Sequence, residues 1–316
     1  MNPTTSASFG AALEAARDAA GGQHYPQATL YVVATPIGNL ADITLRALHV
    51  LRMVDAIACE DTRHTQALLR AYGIERPGGQ LIALHRHNEA EAAQAVVARL
   101  AEGARIACVS DAGTPGVSDP GARLAAAVRA AGHRVLPLPG ASSVTTLVSA
   151  AGLVGAEDGA GGFVFAGFLP SKAGERAAAV QALAAEPRAV VLLEAPHRIE
   201  VTAQALAALG ERPVTLGREL TKQFEEIATM AVSALPGWLA AGRDRSRGEF
   251  ALVLHPAPAA ADDDAEGERV LRLLLAELPL KRAVRLAAEI SGAPRNALYE
   301  AALRLRGEGD EDSGGE

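Results

Sequence analysis

The sequence predicts an α/β fold with two lobes, each built on its own sheet, followed by a small C-terminal helical unit. Between residues 29 and 257, short apolar runs of strand length alternate with amphipathic segments of helix length. Clusters rich in Gly, Pro and polar residues follow the apolar runs, as expected where strands end at a ligand-binding edge. Beyond an acidic stretch, three segments with apolar residues at helical spacing complete the chain.

The composition is that of a globular protein with more than one core. Of 316 residues, 49% are hydrophobic and 21% are charged. We expect no membrane span, because no apolar run approaches the roughly 20 residues that cross a bilayer. We also expect no signal peptide, because the first residues lack a basic start and an apolar centre. Cys59 and Cys108 are far apart and lack metal-ligand spacing, so we expect buried reduced thiols, a cytoplasmic location and no metal.

The charge is distributed unevenly. The net charge of −7 is not typical of a nucleic-acid-binding protein. However, segments 262–266 and 307–316 hold nine acidic and no basic residues, whereas segment 267–306 carries eight Arg or Lys against four Glu. The basic side chains predicted to lie off the apolar helix faces there are Lys281, Arg282, Arg285 and Arg295. They favour contact with nucleic-acid phosphates, and a solubilising or dimerising bundle is an equally good interpretation.

The N-terminal lobe is predicted to span residues 29–138. Residues 1–28, rich in small residues, are predicted to form a flexible extension with a short helix near 11–20. Strands are predicted at 30–34, 56–59, 81–84, 104–109 and 134–138. Capping residues such as Asn88 and terminal glycines such as Gly103 mark the ends of the intervening helices. This alternation predicts a mainly parallel sheet with helices on its faces.

The C-terminal lobe is predicted to span residues 139–257 and to restart the same pattern. Strands are predicted at 163–166, 189–193, 213–216, 227–230 and 249–254, the fourth as a hairpin edge. An acidic linker at 258–267 leads to a helical unit at 268–306, and an acidic tail follows at 307–316. Pro279 and a Ser-Gly turn divide the unit into three helices with a helix-turn-helix arrangement.

The segment SDAGTPGVSDPG at 110–121 is the strongest candidate for ligand binding. It follows a buried strand, and its glycines and prolines prevent it from continuing as a strand or a helix. Its glycines let the backbone approach a ligand closely, and Asp111 and Asp119 supply hydrogen-bond acceptors. We therefore expect a binding loop at the carboxyl edge of the sheet, with an ordinary solvated connection as the alternative.

Five further polar clusters follow apolar runs. They are TPIGN at 35–39, EDTRHT at 60–65, PGASS at 139–143, EAPHR at 194–198 and GRELTKQFEE at 217–226. Any one of them could be an ordinary loop, but six clusters in succession indicate a site at the strand ends. The glycine patterns of dinucleotide folds and P-loops, and the paired histidines of zinc proteases, do not occur in the sequence.

In their order and spacing, these motifs resemble the tetrapyrrole methylase superfamily, and within it the branch that methylates small-subunit ribosomal RNA. The resemblance covers about residues 29–256, and the C-terminal helical unit also resembles that branch. It implies two α/β lobes of the tetrapyrrole methylase type, usually dimeric, with S-adenosylmethionine folded in a cleft between them. It also implies methylation of the ribose 2′-oxygen of a decoding-centre cytidine (position 1402) in 16S ribosomal RNA, within the 30S subunit.

Carried over by motif, the resemblance implies that both lobes contact the cofactor. The implied first-half positions are Pro36, Gly38, Asp111, Gly113, Thr114, Pro115, Val117, Ser142 and Ser143. The positions that close the pocket from the second lobe are Leu193, Glu194, Ala195 and Arg218. The extension 1–28 and the tail 307–316 depart from the family pattern, and we expect neither to be needed.

Methyl transfer from a sulfonium is an in-line displacement, so positioning and exclusion of water supply much of the rate. A ribose hydroxyl is a poor nucleophile while protonated, so a nearby base would help. The candidates for the base that accepts the hydroxyl proton are Glu60, Asp61, Glu225 and Glu226, with His64 and His197 as rivals. Arg63, Arg198 and Lys222 could hold a phosphate or polarise the nucleophile. The sequence does not select one base among them.

Two other functions fit the same residues. One is a methylase of a small molecule such as a tetrapyrrole precursor, although the basic C-terminal unit and the absence of a glycine-rich first loop argue against it. The other is a non-catalytic ribosome-binding relative that keeps the pocket. Binding of S-adenosylmethionine and the identity of the methylated acceptor separate the three.

Overall fold

The computed structural model describes residues 9–85, 87–153, 162–257 and 261–311. These residues form two five-stranded sheets, each with helices packed against it, and a C-terminal bundle of three helices. The predicted class of two α/β lobes with a helical unit is confirmed. Within the described ranges, no helix is both long enough and apolar enough to cross a membrane.

The first sheet is entirely parallel. Its strands are β1 (Thr29–Val33), β2 (Ala56–Cys59), β3 (Leu81–Ala83), β4 (Arg105–Val109) and β5 (Arg134–Leu138), in the order β3-β2-β4-β1-β5. The chain leaves β1 towards β2, in the direction of one edge of the sheet, and it leaves β4 towards β5, at the opposite edge. The border between β1 and β4 is therefore the switch point at which α/β sheets bind ligands.

Helices cover both faces of this sheet. On one face lie α1 (Gly10–Ala20), α2 (Leu45–Met53) and α3 (Thr62–Ala71), and on the other lie α4 (Glu89–Ala101) and α5 (Ala122–Ala130). Fully buried residues such as Tyr31 and Leu48 fill the first core, and Ile106 and Leu124 fill the second. The sheet lies between two apolar layers, which explains why its strands are apolar throughout.

The N-terminal segment differs from the predicted flexible extension. The short helix is present as α1, and it packs on α2 with Ala16 buried. The ring of Phe9 lies edge-on to that of Tyr72, with centroids 5.1 Å apart. Small alanine side chains, which suggested a loose segment, instead allow close helix packing. Residues 1–8 lie outside the described part of the chain.

The two cysteines are free and buried, as the sequence predicts. Cys108 on β4 pairs with Ala58 on β2, and Cys59 is the next residue along β2. Because side chains alternate between the faces of a strand, the two cysteines belong to cores on opposite faces of the sheet. Burial raises the pKa of both thiols, that of Cys108 to about 12. Both side chains therefore act as apolar core residues rather than nucleophiles.

The second sheet is mixed, unlike the repeated parallel pattern that the sequence suggests. Its strands are β6 (Phe163–Gly167), β7 (Ala189–Glu194), β8 (Pro213–Arg218), β9 (Glu226–Ala231) and β10 (Phe250–Leu254), in the order β6-β7-β10-β8-β9. Only the β6–β7 pairing of this sheet is parallel, because β8 and β9 form a hairpin and β10 inserts antiparallel between β7 and β8. The predicted hairpin edge at β9 is present.

The two faces of the second sheet have different neighbours. Helices α7 (Ala173–Ala184), α8 (Ile199–Leu206) and α9 (Leu235–Ala241) cover one face. On the other face, α6 (Ser143–Ala150) packs through Val144 and Leu147. Ile37 and Val117, from loops of the first lobe, pack against the same cluster. This face of the second sheet therefore joins the lobes.

The C-terminal unit consists of α10 (Ala261–Glu277), α11 (Leu280–Ser291) and α12 (Arg295–Glu311), packed around Leu271, Val284 and Leu298. The predicted linker is helical from Ala261 onwards, and α12 extends into the predicted acidic tail. The acidic run at 262–266 lies near the start of α10, where negative charge is favourable to the helix dipole, so this run is compatible with helix. Residues 258–260 and 312–316 lie outside the described part.

Candidate active site

A cavity of about 300 Å³ lies where the carboxyl edge of the first sheet meets the second sheet. From the loops of the first sheet and α6 it is lined by Ile37, Ala112, Gly113, Thr114, Val117, Ser118, Asp119, Ser142, Ser143 and Val144. From the second lobe it is lined by Phe168, Leu193, Glu194, Ala195, Pro196, Leu220, Glu249, Phe250 and Ala251. Its volume and mixed lining are those of a small-molecule site.

The loops after β1 and β4 are tied together beside this cavity. Thr35 and Gly113 exchange two backbone hydrogen bonds, both of 2.9 Å, outside the regular strands. The Thr35 hydroxyl also donates to the Ser110 carbonyl at 3.0 Å, and the Ser110 hydroxyl donates to the Gly113 carbonyl at 3.0 Å. Gly113 has a φ of +80°, which favours glycine. The two loops form one fixed surface.

The loop after β5 joins the same surface. The Thr114 hydroxyl donates to the Ala141 carbonyl at 3.0 Å, so the PGASS loop is fastened to the long loop. Gly140 lies so close to β1 that a Cβ there would stand 2.7 Å from the Ala34 Cβ. Ser142 and Ser143, which follow, line the cavity at the start of α6. Backbone packing therefore places this loop at the cavity.

Glu194 ends β7 and anchors the turn into α8. Its Oε1 accepts from the Ala195 N–H at 2.9 Å, and its Oε2 accepts from the Thr202 hydroxyl at 2.6 Å. The Arg198 Nε lies 3.2 Å from Oε1, and the same guanidinium donates to the Leu169 carbonyl. Arg198, predicted as an RNA contact, therefore stabilises the interior of the second lobe.

Arg218, predicted to contact the cofactor, lies outside the cavity lining. Its guanidinium donates to the carbonyls of Phe224 at 3.3 Å and Arg247 at 3.2 Å. Its Nε lies 3.6 Å from Glu226 Oε2. This side chain holds the loop after β8 against the loop before β10, and both of these loops contribute cavity residues.

Lys222 closes the junction between the lobes. Its ammonium lies 2.8 Å from Glu219 Oε1 and 2.9 Å from Glu249 Oε2. Burial opposes the charge of Lys222, but these two carboxylates raise its pKa overall. Burial likewise opposes ionisation of Glu219, yet its hydrogen bonds with Lys222 and with the Glu249 N–H lower its pKa. A Cβ at Gly38 would overlap the Lys222 side chain, so glycine in the loop after β1 leaves room for Lys222.

Strained backbone is found beside this junction. Ser118, Glu219 and Thr221 are non-glycine residues with φ values of +70°, +52° and +67°. Ser118 lines the cavity, and the other two flank Leu220, which also lines it. Such conformations cost about 1–3 kcal/mol each and persist where surrounding contacts enforce them. The geometry around the cavity is thus maintained at the expense of local stability.

In the cluster after β2, the Asp61 side chain caps helix α3. Asp61 Oδ1 accepts from the N–H groups of His64 at 3.2 Å and Arg63 at 2.7 Å, at the start of α3. These two hydrogen bonds lower the pKa of Asp61. The Asp61 N–H in turn donates to Asp111 Oδ1 at 3.2 Å. Asp111 therefore fixes the neighbouring loop instead of facing the cavity.

Eight of the positions that the resemblance implies for the cofactor meet at the cavity: Gly113, Thr114, Val117, Ser142, Ser143, Leu193, Glu194 and Ala195. Pro36, Gly38, Asp111, Pro115 and Arg218 lie outside its lining. The catalytic candidates Glu60, Asp61, Arg63, Lys222 and Glu225 also lie outside it, although Lys222 contacts the lining residue Glu249. Glu225 Oε2 accepts from the Thr221 N–H at 2.5 Å.

Sequence reasoning missed two parts of the lining. Phe168 belongs to the GFLPSK segment directly after β6, a position that the rule of strand ends could have flagged. The other part is not at a strand end: Phe250 and Ala251 begin β10, and Glu249 directly precedes them. Because β10 is antiparallel to its neighbours, Phe250 stands opposite Glu194 at the sheet edge where β7 ends. No local sequence signal gives that orientation.

The C-terminal unit carries the basic residues predicted to contact RNA. Lys281, Arg282, Arg285 and Arg295 are all exposed. Arg285 Nε lies 3.8 Å from Glu289 on the same helix, a separation at which an exposed pair contributes little to stability. These side chains remain accessible to a polyanion.

Residues 29–236 match the profile of the tetrapyrrole (corrin/porphyrin) methylases. The fold and the cavity at the lobe junction agree with that class. Solved structures with the same fold include a cobalt precorrin-4 methyltransferase (TM-score 0.52, 18% identity, covering 72% of this chain and 94% of that one). A diphthine synthase is also similar (TM-score 0.53, 16% identity, covering 72% and 90%). At these identities the likeness concerns the fold.

Within this class, the chain belongs to the ribosomal RNA small subunit methyltransferase I family. Residues 261–306 match the RsmI C-terminal HTH domain. The protein of that family from Escherichia coli O157:H7 is 48% identical over 284 residues, covering 89% of this chain and 96% of the relative. The Pseudomonas aeruginosa relative is 46% identical over 287 residues, covering 88% and 98%.

Proposed function

We propose that the protein transfers a methyl group from S-adenosylmethionine to the ribose 2′-oxygen of a decoding-centre cytidine in 16S ribosomal RNA. One observation carries this proposal: the cavity between the lobes belongs to a chain whose relatives of 43–48% identity are named for methylation of small-subunit ribosomal RNA. The resemblance supplies the ribose oxygen and the cytidine. The exposed basic side chains of the C-terminal unit support an RNA substrate.

The methyl donor is S-adenosylmethionine. The cavity residues suit its two ends: Ile37, Val117 and Leu220 offer apolar surface, and Thr114 and Ser143 offer hydroxyls. Two residues that the resemblance implies but that lie outside the lining, Asp111 and Arg218, hold the neighbouring loops in place. Bound there, the cofactor supplies an electrophilic methyl group, and the loops orient it and exclude water.

The acceptor is proposed to be 16S ribosomal RNA within the 30S subunit, which places the protein in the cytoplasm. The resemblance also implies a homodimer, and analytical ultracentrifugation of the full chain measures this directly. A sedimentation coefficient of a monomer at the concentrations used for activity would contradict the dimer without affecting the reaction.

The reaction is tested by mass mapping of ribose methylation in 16S ribosomal RNA from cells with and without the gene. We expect the loss of one 2′-O-methyl group at a decoding-centre cytidine. An unchanged map would reject the proposed acceptor. Incubation with labelled cofactor and a precorrin would then test a small-molecule methylase, and calorimetry with S-adenosylmethionine would test a non-catalytic relative.

The role of the C-terminal unit is tested with the triple variant Lys281→Ala, Arg282→Ala, Arg295→Ala. We expect weaker binding to 30S subunits and a salt dependence whose slope falls by about 0.7–0.9 for each phosphate that the variant no longer neutralises. The affinity for S-adenosylmethionine should stay unchanged. Arg272→Ala is the matched control, because Arg272 lies on α10 in a loose pair with Glu268 at 3.8 Å. Equal salt slopes for all variants would remove RNA binding from this surface.

A further inference from the structure

Three carboxylates line the cavity among the residues that the structure describes: Asp119, Glu194 and Glu249. They differ in their access to a ligand. The Glu194 side chain is 0% exposed, and both of its oxygens are engaged within the second lobe. The Glu249 side chain is 71% exposed. Of the two cavity carboxylates in the second lobe, only Glu249 can therefore meet an acceptor group from solution.

The carboxylates singled out from the sequence are less suited to this role. Asp61 caps α3 and Glu225 accepts the Thr221 N–H, and both lie outside the cavity lining. A general base must come within hydrogen-bond reach of the proton that it removes. Geometry therefore favours a carboxylate that sequence reasoning did not select.

Glu249 is held in a defined position. Its Oε2 lies 2.9 Å from the Lys222 ammonium, and its own N–H donates to Glu219 Oε1 at 2.9 Å. The Lys222 side chain packs against Gly38, in the loop after β1. The carboxylate is thus fixed at the junction of the lobes, where Ile37 also lines the cavity.

On the basis of the proposed function, we propose that Glu249 accepts the proton of the acceptor hydroxyl and that Lys222 positions the Glu249 carboxylate. A bond forms between the ribose 2′-oxygen and the methyl carbon while the carbon–sulfur bond breaks. The electron pair of that bond returns to sulfur, leaving S-adenosylhomocysteine, and the hydroxyl proton passes to Glu249. A sulfonium and a carboxylate become two neutral groups, a change that exclusion of water favours.

The test uses Glu249→Gln in the full chain with undermethylated 30S subunits. We expect kcat to fall by about 100-fold, with the dissociation constant of S-adenosylmethionine and the KM for 30S subunits little changed. The pH profile of kcat is the second readout: the decrease of wild-type kcat at low pH, its acid limb, should be absent from the variant. Lys222 and Glu219 are the charged groups in contact with Glu249 and stay intact.

Two further variants sharpen the result. Glu175→Gln removes the carboxylate of another lysine pair, with Lys172 at 2.9 Å on the surface of the second lobe, and should keep wild-type kcat. Glu249→Asp keeps a carboxylate and should restore the acid limb at reduced kcat, which a purely structural role would not do. Asp119→Asn tests the remaining cavity carboxylate and should retain the acid limb.

Three results would overturn the assignment. They are an unchanged kcat in Glu249→Gln, a loss of cofactor affinity in place of kcat, or an acid limb that disappears in Asp119→Asn. Failure of the proposed function is recognised separately, because the wild-type protein would then transfer no methyl group to 30S subunits under any condition.

Discussion

The two lobes contribute different kinds of interaction to one cavity. The loops that follow the strands of the first sheet contribute backbone geometry: the Thr35–Gly113 bridge, the φ of Gly113 and the contact of Gly140 with Ala34 fix three loops against each other. The second lobe contributes charged side chains, in particular the Lys222 ammonium between two carboxylates. Backbone contacts thus fix the loops on one side of the site, and ion pairs fix those on the other.

This difference separates two tasks. Backbone geometry changes little with pH and salt, so it suits the binding of a cofactor that must be held in the same way at every turnover. Ion pairs respond to substitution and to pH, so they suit the side at which a proton moves. Changes in the first-lobe loops that line the cavity should therefore affect cofactor binding, and changes that disturb the Lys222 junction from either lobe should affect methyl transfer.

The largest effect is expected for Thr114→Tyr. The tyrosine ring would fill the cavity and remove the hydrogen bond to the Ala141 carbonyl, so affinity for S-adenosylmethionine should fall by about 100-fold, or roughly 2.7 kcal/mol. Isothermal titration calorimetry measures this. Thr114→Ser keeps the hydroxyl and is the matched control. Equal affinity in both variants would move the cofactor away from the long loop.

A smaller effect, of a different kind, is expected for Gly38→Ala. The added Cβ would displace Lys222 and with it Glu249, so kcat should fall by about tenfold through loss of positioning. Cofactor affinity should remain, because Gly38 lies outside the cavity lining. Gly79→Ala, with open space around its Cβ, serves as the control. Parallel losses of affinity and kcat would contradict the division of tasks between the cavity loops and the Lys222 junction.

Lys222→Met should cost about 1 kcal/mol of unfolding free energy, because two carboxylates lose a partly buried cation. Urea denaturation measures this cost. Lys172→Met breaks the exposed pair with Glu175 and should cost almost nothing. Equal costs for the two variants would mean that the junction is no more than a surface ion pair.

The same variant has a pH signature. Because the pKa of Glu219 is lowered in the folded state, its contribution to stability is present above its unfolded pKa of about 4.3 and disappears as pH falls through the lower folded value. Lys222→Met removes one cause of that shift, so its melting temperature should fall less steeply than that of the wild type below about pH 4.3. The same decrease of melting temperature below this pH in both proteins would show that Lys222 does not set the pKa of Glu219.

The smallest effect is expected for Asp61→Asn. An asparagine oxygen still accepts the N–H groups at the start of α3, so kcat should stay within about twofold of the wild type and stability should change little. Multiple-turnover methylation of 30S subunits measures kcat. A loss comparable with that of Glu249→Gln would restore Asp61 as a candidate base.

The sequence by itself determined the fold class and the position of the principal loops. Apolar runs alternating with helical segments identify strands and helices locally, and the glycine-rich composition of 110–121 marks a loop that cannot continue either element. Because parallel strands all end at the same edge, the loops after β1, β4 and β5 were predictable as neighbours.

The tertiary structure alone decided which polar residues reach the cavity. Arg198 and Asp61 have the chemistry of a phosphate ligand and a base, but partners within their own lobes engage them. Glu249 enters the site because β10 runs antiparallel, an orientation set by pairing with β7 and β8. Periodicity reports which face of a strand is buried, whereas strand direction depends on contacts between distant segments. For that reason the acceptor side of the site became visible only in the folded chain.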